Sequence, residues 1–346
     1  MKTIQKSPEK LHIPDLVSIP SLGILSTIGN TPLIELTKAM QGIEFRLFAK
    51  LESFNPGGSA KDRAAFYIIK NAIENGYIRT GTTIIESSSG NMGIALAQIC
   101  AYFDLRFICV VDPKTTSQNI RILETYGAKV DIVTEPDPIT KEFLKARMDR
   151  VQFLMDFIKD TFWPNQYANS FNPLAHYQTT MHEIAMALNR KVDFLFCAVS
   201  TGGTIRGCAE YIRDHELKTK IIAVDAIGSV IFGGAKGKRL LPGHGAAIEP
   251  VLCQNGLIEL IEECVRVSDL ECVIGCRTLV QQEGLLTGGS SGGVLMALEK
   301  SRDSIPKDST CVTIFPDHGE RYLDTIYSDQ WVKEQFGDVA HLWQKH

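Results

Sequence analysis

The stretch Thr82-Thr83-Ile84-Ile85-Glu86-Ser87-Ser88-Ser89-Gly90-Asn91-Met92-Gly93 decides how this chain folds. The β-branched run Thr82–Glu86 predicts a strand. The apolar residues that follow predict a helix from Met92 to Phe103. Only small polar residues lie between the two. That is where a helix starts, and its first N–H groups have no partner within the helix. A strand feeding a helix through such a turn is the repeating unit of a parallel α/β sheet.

The alternation continues on both sides. Upstream, Glu44–Leu51 reads as a strand and Ser59–Asn75 as a helix. Ala65, Ile68, Ile69, Ala72 and Ile73 recur on one helical face, and Gly76 stops it. Ser59 and Asp62 have the spacing of a capping box. Downstream, Arg106–Asp112, Thr115–Tyr126 and Lys129–Val133 read as strand, helix and strand. Phe194–Val199, Ile221–Asp225 and Cys311–Phe315 form a second cluster of β-rich runs near helical segments. The expected fold class is α/β, with two open parallel-sheet α/β domains and a cleft between them. A smaller domain is expected over 50–165, and a larger one from 26–49 plus 166–335. Residues 1–25 read as an N-terminal extension, interrupted by prolines and without sustained periodicity, and 336–346 as a C-terminal tail.

Composition limits the function. At 346 residues, 44% hydrophobic and 22% charged, the chain suits one or two globular domains. A net charge of −4 argues against nucleic acid as a partner, but not against a small anion held by a few local donors. The nine cysteines are odd in number, sit mostly in apolar runs and include no Cys-x-x-Cys. They read as buried thiols. Cys272 and Cys276 share a helical face with no second ligand pair, and His182-Glu183 lacks the second histidine of a zinc helix, so no metal is expected. Lys2, Lys6 and Lys10 are followed by no long apolar stretch. The expectation is no signal peptide, no membrane span and a cytoplasmic location.

Four loops carry candidate chemistry. Lys61 lies in Asn55-Pro56-Gly57-Gly58-Ser59-Ala60-Lys61-Asp62-Arg63. The glycines let a flat ligand approach the backbone. The helix start, with Arg63 adding to it, lowers an amine's pKa as a Schiff-base lysine requires. An exposed surface lysine would fit the same spacing. Ser87-Ser88-Ser89-Gly90-Asn91 suits an anion at a helix start, or a polar turn with a serine cap. Ser200-Thr201-Gly202-Gly203-Thr204 has the shape of a phosphate cradle and is neither a Walker loop nor G-x-G-x-x-G, which disfavours a dinucleotide. Gly288-Gly289-Ser290-Ser291-Gly292-Gly293 matches the hydrolase pattern G-x-S-x-G, but Glu283–Thr287 before it is a poor strand. His244, in Pro242-Gly243-His244-Gly245, is not read as catalytic.

In this order, the motifs N-P-G-G-S-x-K-D-R, S-S-G-N-x-G, S-T-G-G-T and G-G-S-S-G resemble the fold type II pyridoxal-phosphate (PLP) enzymes of the cysteine synthase and cystathionine β-synthase family. The resemblance covers about residues 25 to 330. It implies PLP as cofactor and Lys61 as the catalytic Schiff-base lysine. It implies Asn91 at the ring hydroxyl, Ser200, Thr201, Gly202, Gly203 and Thr204 around the phosphate, and Ser290 facing the pyridine nitrogen. Ser87, Ser88, Ser89, Gly90 and Asn91 would take the substrate α-carboxylate, on a smaller domain that closes over the cleft. A neutral hydroxyl at the pyridine nitrogen leaves the ring a weaker electron sink and favours loss of a β leaving group. Amino-acid substrates and a homodimer are implied as well.

Val110–Lys114, Asn165–Asn169, Val224–Ala226, Gly228–Gly233 and Asp317 with Gly319–Asp324 resemble one branch of that family, the N-(2-amino-2-carboxyethyl)-L-glutamate synthases of siderophore assembly, of staphyloferrin B type. The branch implies replacement of the phosphate of O-phospho-L-serine by the amine of L-glutamate, giving a 2,3-diaminopropionate precursor. Arg147, Tyr167 and Ser200 are the candidates for the carboxylates of glutamate, Arg147 otherwise reading as part of a solvated helix face. His244 stands where the branch has an apolar residue and is expected to alter the substrate mouth. The rival readings are a cysteine synthase taking sulfide with O-acetylserine or O-phosphoserine, a dehydratase, and a non-catalytic PLP- or phosphate-binding partner protein.

Overall fold

The computed structural model describes residues 23–343. The extension expected over 1–25 therefore lies almost wholly outside the described residues.

The elements in chain order are β1 (Leu33–Glu35), β2 (Arg46–Leu51), α1 (Lys61–Glu74), β3 (Thr83–Ser87), α2 (Asn91–Tyr102), β4 (Arg106–Val111), α3 (Ser117–Thr125), β5 (Lys129–Ile132), α4 (Phe143–Phe157) and β6 (Thr161–Phe162). Then come α5 (Phe171–Ala175), a π-helical segment (His176–Met181), α6 (His182–Ala187), β7 (Phe194–Ala198), α7 (Gly203–Asp214), β8 (Lys220–Ala226), β9 (Glu263–Val267), α8 (Asp269–Glu283), α9 (Gly289–Ser301), β10 (Thr310–Phe315) and α10 (Asp329–Phe336).

They form an α/β fold with two parallel-sheet domains. One sheet has the order β5-β4-β3-β6, and the other β1-β2-β10-β7-β8-β9. Every pair is parallel except β1 with β2, which is antiparallel. β1 and β6 are too short to show a period, and β9 mixes polar and apolar residues at a sheet edge, so sequence periodicity passed over all three. The smaller sheet packs α1 and α2 on one face, through Phe66, Ile69 and Leu96, and α4 on the other, through Val151 against Ile85 and Val110. The larger sheet packs α8 and α9 on one face and α6 and α7 on the other. This double coverage explains why β3 is buried at every residue and reads as a continuous run. Trp343, in the stretch expected to be a tail, is buried in the larger core beneath Arg277. No helix among the described residues is long and apolar enough to cross a membrane.

The capping box expected at Ser59 and Asp62 does not form. α1 begins at Lys61, the Ser59 hydroxyl accepts from the Lys61 N–H at 3.2 Å, and the Asp62 carboxylate accepts from the Gly57 N–H at 2.6 Å. The tight Pro-Gly-Gly turn brings Gly57 close enough to take the carboxylate that a cap would have used.

Arg63 is fully buried. Its Nε meets Glu52 at 2.6 Å and one terminal nitrogen meets Glu183 at 2.6 Å. Lys50 joins through Glu183, also at 2.6 Å. Two carboxylates thus match the Arg63 charge, so it does not add to the field at Lys61 as the sequence suggested. Removing one member of a buried ionic group leaves its partner charge uncompensated, which costs on the order of 3–5 kcal/mol. Arg63→Met is expected to lose about that much stability in urea unfolding at neutral pH.

Candidate functional site

The four motif loops meet at the carboxyl ends of the strands, where open α/β sheets bind ligands. The lysine loop is stitched to the end of β10: the Ala60 N–H donates to the Pro316 carbonyl at 2.8 Å, and Ser59 bridges to Asp317. The loop before α2 and the start of α9 reach the same strand end, through Asn91 Nδ2 to Asp317 at 2.8 Å and the Gly288 N–H to the Asp317 carbonyl at 3.2 Å, and the loop after β7 leaves the strand beside β10.

Two lysines are desolvated here, and their partners separate them. Lys50 donates to Glu183 and to the Thr31 carbonyl, both at 2.6 Å. Burial lowers its pKa and Glu183 works against that. Lys61 has no hydrogen bond and no ion pair to its amine among the described residues, and part of its surface is open. Burial lowers its pKa, with Cys197 and Asp317 as the neighbouring groups that oppose the shift. An amine that is desolvated and unpaired is available for bonding to a carbonyl. Neighbouring Asp62 is buried too, and burial pushes its carboxyl up to about 7.

The loop before α2 divides its labour. The Ser88 hydroxyl accepts from the Gly93 N–H at 2.9 Å, bracing the helix start. Ser87 is fully buried and its Oγ has no partner among the described residues. The Ser89 carbonyl accepts from Asn119 Nδ2 at 3.0 Å, and Gly90 precedes the helix. The first N–H groups of α2, beginning at Asn91, are left without helical partners.

The loop after β7 is a cradle. Gly202 adopts φ 88°, a left-handed conformation that favours glycine, and α7 starts at Gly203. A Cβ on Gly203 would lie 2.0 Å from Asn172 Oδ1. Thr201 is buried and its Oγ1 is unpartnered. Thr204 Oγ1 meets His176 Nε2 at 3.2 Å, and His176 Nδ1 meets Thr180 at 2.9 Å. Ser200 stands partly exposed at the mouth of this loop. An unpaired buried hydroxyl beside free helix N–H groups fits the phosphate of PLP. His176 and Asn172 escaped the sequence reading, since a lone histidine and an Asn-Pro pair carry no distinctive spacing. Burial drives the His176 pKa well below its usual value, with Lys61 and Arg63 pushing the same way. Its ring is therefore neutral.

Ser290 is the second residue of α9 and largely buried. No strand precedes its loop, only a bridge from Thr287 to His318, so the elbow of a hydrolase is absent.

Arg147 lies on α4, but not on a solvated face: it is 8% exposed, with its Nε 3.3 Å from Asp112. Its Nε and one terminal nitrogen have no hydrogen-bond partner among the described residues. Tyr167 is its neighbour, its phenol pushed up to about 12 by burial, with Arg147 opposing. Behind them Glu86 accepts from Trp163 at 3.1 Å and from the Ser87 and Gln166 N–H groups at 2.7 and 3.2 Å. Burial pushes Glu86 up to about 7. Arg147 and Tyr167 thus belong to one polar patch beside Ser87, while Ser200 stands on the larger sheet.

His244 departs from expectation. It is 1% exposed, with Nε2 3.1 Å from the Val224 carbonyl and Nδ1 3.7 Å from Cys272 Sγ. Both ring nitrogens are occupied inside the larger domain, so the side chain does not line a substrate mouth. Cys272 and Cys276 are buried free thiols.

Comparison with known proteins defines the class. Residues 24–317 match the PALP family, described as pyridoxal-phosphate dependent enzyme. A hydrogen sulfide-producing enzyme from Fusobacterium nucleatum is similar at 33% identity and TM-score 0.81, covering 88% of this chain and 99% of its own. An O-acetylserine dependent cystathionine beta-synthase from Helicobacter pylori is similar at 33% identity and TM-score 0.81, covering 88% and 98%. An O-ureido-L-serine synthase is similar at 27% identity and TM-score 0.80, covering 89% and 97%. The chain belongs to the PALP family and is a PLP-dependent enzyme of the β-replacement type, among relatives of cysteine synthase.

Asp62 supplies a pH test. Its folded pKa lies above the ordinary carboxylate value, so the folded state binds a proton that the unfolded chain has lost. The stability it contributes is complete at acid pH and is lost as pH rises toward about 7. The stability of Asp62→Asn relative to the parent is expected to rise across that window and level off above it, as read by denaturant titration at several pH values.

Proposed function

We propose that the protein replaces the phosphate of O-phospho-L-serine with the amine of L-glutamate, giving N-(2-amino-2-carboxyethyl)-L-glutamate and phosphate, a 2,3-diaminopropionate precursor for siderophore synthesis. The observation that supports the choice of nucleophile is the Arg147 patch. A buried guanidinium that faces Asp112 through Nε and keeps a terminal nitrogen unpaired, next to a phenol, suits a ligand bearing carboxylates, as glutamate does. Sulfide has no need of it.

Bound PLP would withdraw electrons from Cα, easing loss of its proton and departure of the β-substituent. Lys61 would hold the cofactor through Nζ and, once released by the incoming amino acid, take the Cα proton and later return it. Its desolvated amine is suited to both roles. The Ser87–Asn91 loop would take the α-carboxylate on the unpaired N–H groups at the α2 start and on the Ser87 hydroxyl. Ser200–Thr204 would hold the cofactor phosphate, Asn91 the ring oxygen and Ser290 the pyridine nitrogen. Arg147, Tyr167 and Ser200 would orient the glutamate carboxylates so that its amine faces the β-carbon. Closure of a mobile domain over 50–165 against the rest would exclude water, which otherwise diverts the reaction toward pyruvate. A cytoplasmic homodimer goes with this reading.

Sulfide as nucleophile is the second reading. It is favoured by the relatives described as hydrogen sulfide-producing and as O-acetylserine dependent. One competition separates the two: phosphoserine offered with glutamate and sulfide together, products read by mass spectrometry. The glutamate adduct is expected, and cysteine without the adduct would overturn the assignment. Arg147→Met is expected to raise KM for glutamate about tenfold or more, the worth of a charge-assisted hydrogen bond, with KM for phosphoserine little changed.

A further inference from the structure

The Asp317–Asp324 segment is one of the motifs that marked the chain, yet no step of the proposed reaction uses it. In the structure it grips Asn91. Asp317 follows β10 and is 2% exposed. Its Oδ2 accepts from the Tyr322 hydroxyl at 2.6 Å and from Asn91 Nδ2 at 2.8 Å. Arg321 lies in the short 3-10 turn Gly319–Tyr322. One terminal nitrogen of Arg321 donates to Asn91 Oδ1, and the other to the Gly57 carbonyl.

A guanidinium only donates, and Asp317 Oδ2 takes the Tyr322 hydroxyl and so stands as an acceptor. Held between the two, the Asn91 amide has a determined orientation: oxygen toward Arg321, nitrogen toward Asp317. One Nδ2 hydrogen is then used, and the other has no partner among the described residues. The same grip joins three motif loops. Arg321 ties the lysine turn to the α2 start. A Cβ at Gly288 would lie 2.0 Å from Asp317 Oδ1, so the loop that carries Ser290 is glycine where the carboxylate passes.

We infer that Asp317 and Arg321 are positioning residues that lock the Asn91 amide, committing its remaining N–H to the ring oxygen of the pyridoxal cofactor. The inference rests on the assignment of Asn91 to that oxygen. A fixed donor there stabilises negative charge on the oxygen. It favours the form of bound cofactor that absorbs in the visible over the neutral form that absorbs in the near ultraviolet.

The test uses the full chain reconstituted with PLP, reading the ratio of the two absorbance bands at one pH and the PLP dissociation constant. Asn91→Ala is expected to lower the ratio roughly two- to tenfold, the worth of one hydrogen bond. Arg321→Leu and Asp317→Ala should move it in the same direction, and Arg321→Lys should recover part of the loss. In the Asn91→Ala background, Arg321→Leu should add nothing further, because it acts through Asn91. Arg321 is partly exposed, so its variants decide the matter even where Asp317→Ala fails to fold. A changed ratio in Asn91→Ala with a parental ratio in Arg321→Leu would overturn the inference alone. Full additivity in the double variant would do the same, since that is the signature of a general structural role. A parental ratio in Asn91→Ala would instead overturn the assignment of Asn91, and the inference with it.

Discussion

The ionic group of Arg63, Glu52, Glu183 and Lys50 is the interaction on which the site depends. Arg63 leaves α1 two residues after Lys61 and is anchored between the turn after β2 and α6. A rigid anchor at that position fixes the rotation of the first turn of α1, and thereby the direction of Lys61. The Ala60–Pro316 hydrogen bond and the Ser59–Asp317 bridge set its height against the end of β10. Burial of so many charges is unfavourable unless each is matched. Here two acids face two bases, and Thr31 and Asn55 add hydrogen bonds to Glu52.

That pairing also distributes charge between two lysines of opposite character. Lys50 is desolvated and bound to a carboxylate, while Lys61 is desolvated and unbound. Had Glu183 or Glu52 faced Lys61, the amine would have stayed a paired ammonium. The acids near Lys61 are otherwise engaged: Asp62 by the Gly57 N–H, and Asp317 by Asn91 and Tyr322. The neutral His176 beside the cradle adds no competing positive charge.

Much of this was legible in the chain itself. The strand–turn–helix alternation located β2 to β5 and α1 to α3 to within two residues or so, because doubly covered strands are apolar runs and Gly76 and Gly127 stop α1 and α3. The four loops stood out in the chain because small and polar residues cluster in them, each just before a helix. What periodicity could not carry were contacts between distant segments. Glu183 lies 120 positions from Arg63, and Asp317 lies 226 from Asn91. The pairing of Arg63, the inward turn of Arg147 and the burial of His244 all depend on such partners. A charge or a ring looks the same in sequence whether water or a buried carboxylate answers it.

The central claim is that Lys61, and not the other buried lysine, bonds the cofactor. Reduction of the PLP-loaded protein with borohydride, followed by peptide mapping, tests it most directly. The account predicts one pyridoxyl group, on the peptide carrying Lys61, absent when Lys61 is replaced by alanine. A pyridoxyl group on Lys50, or none after full loading, would contradict it.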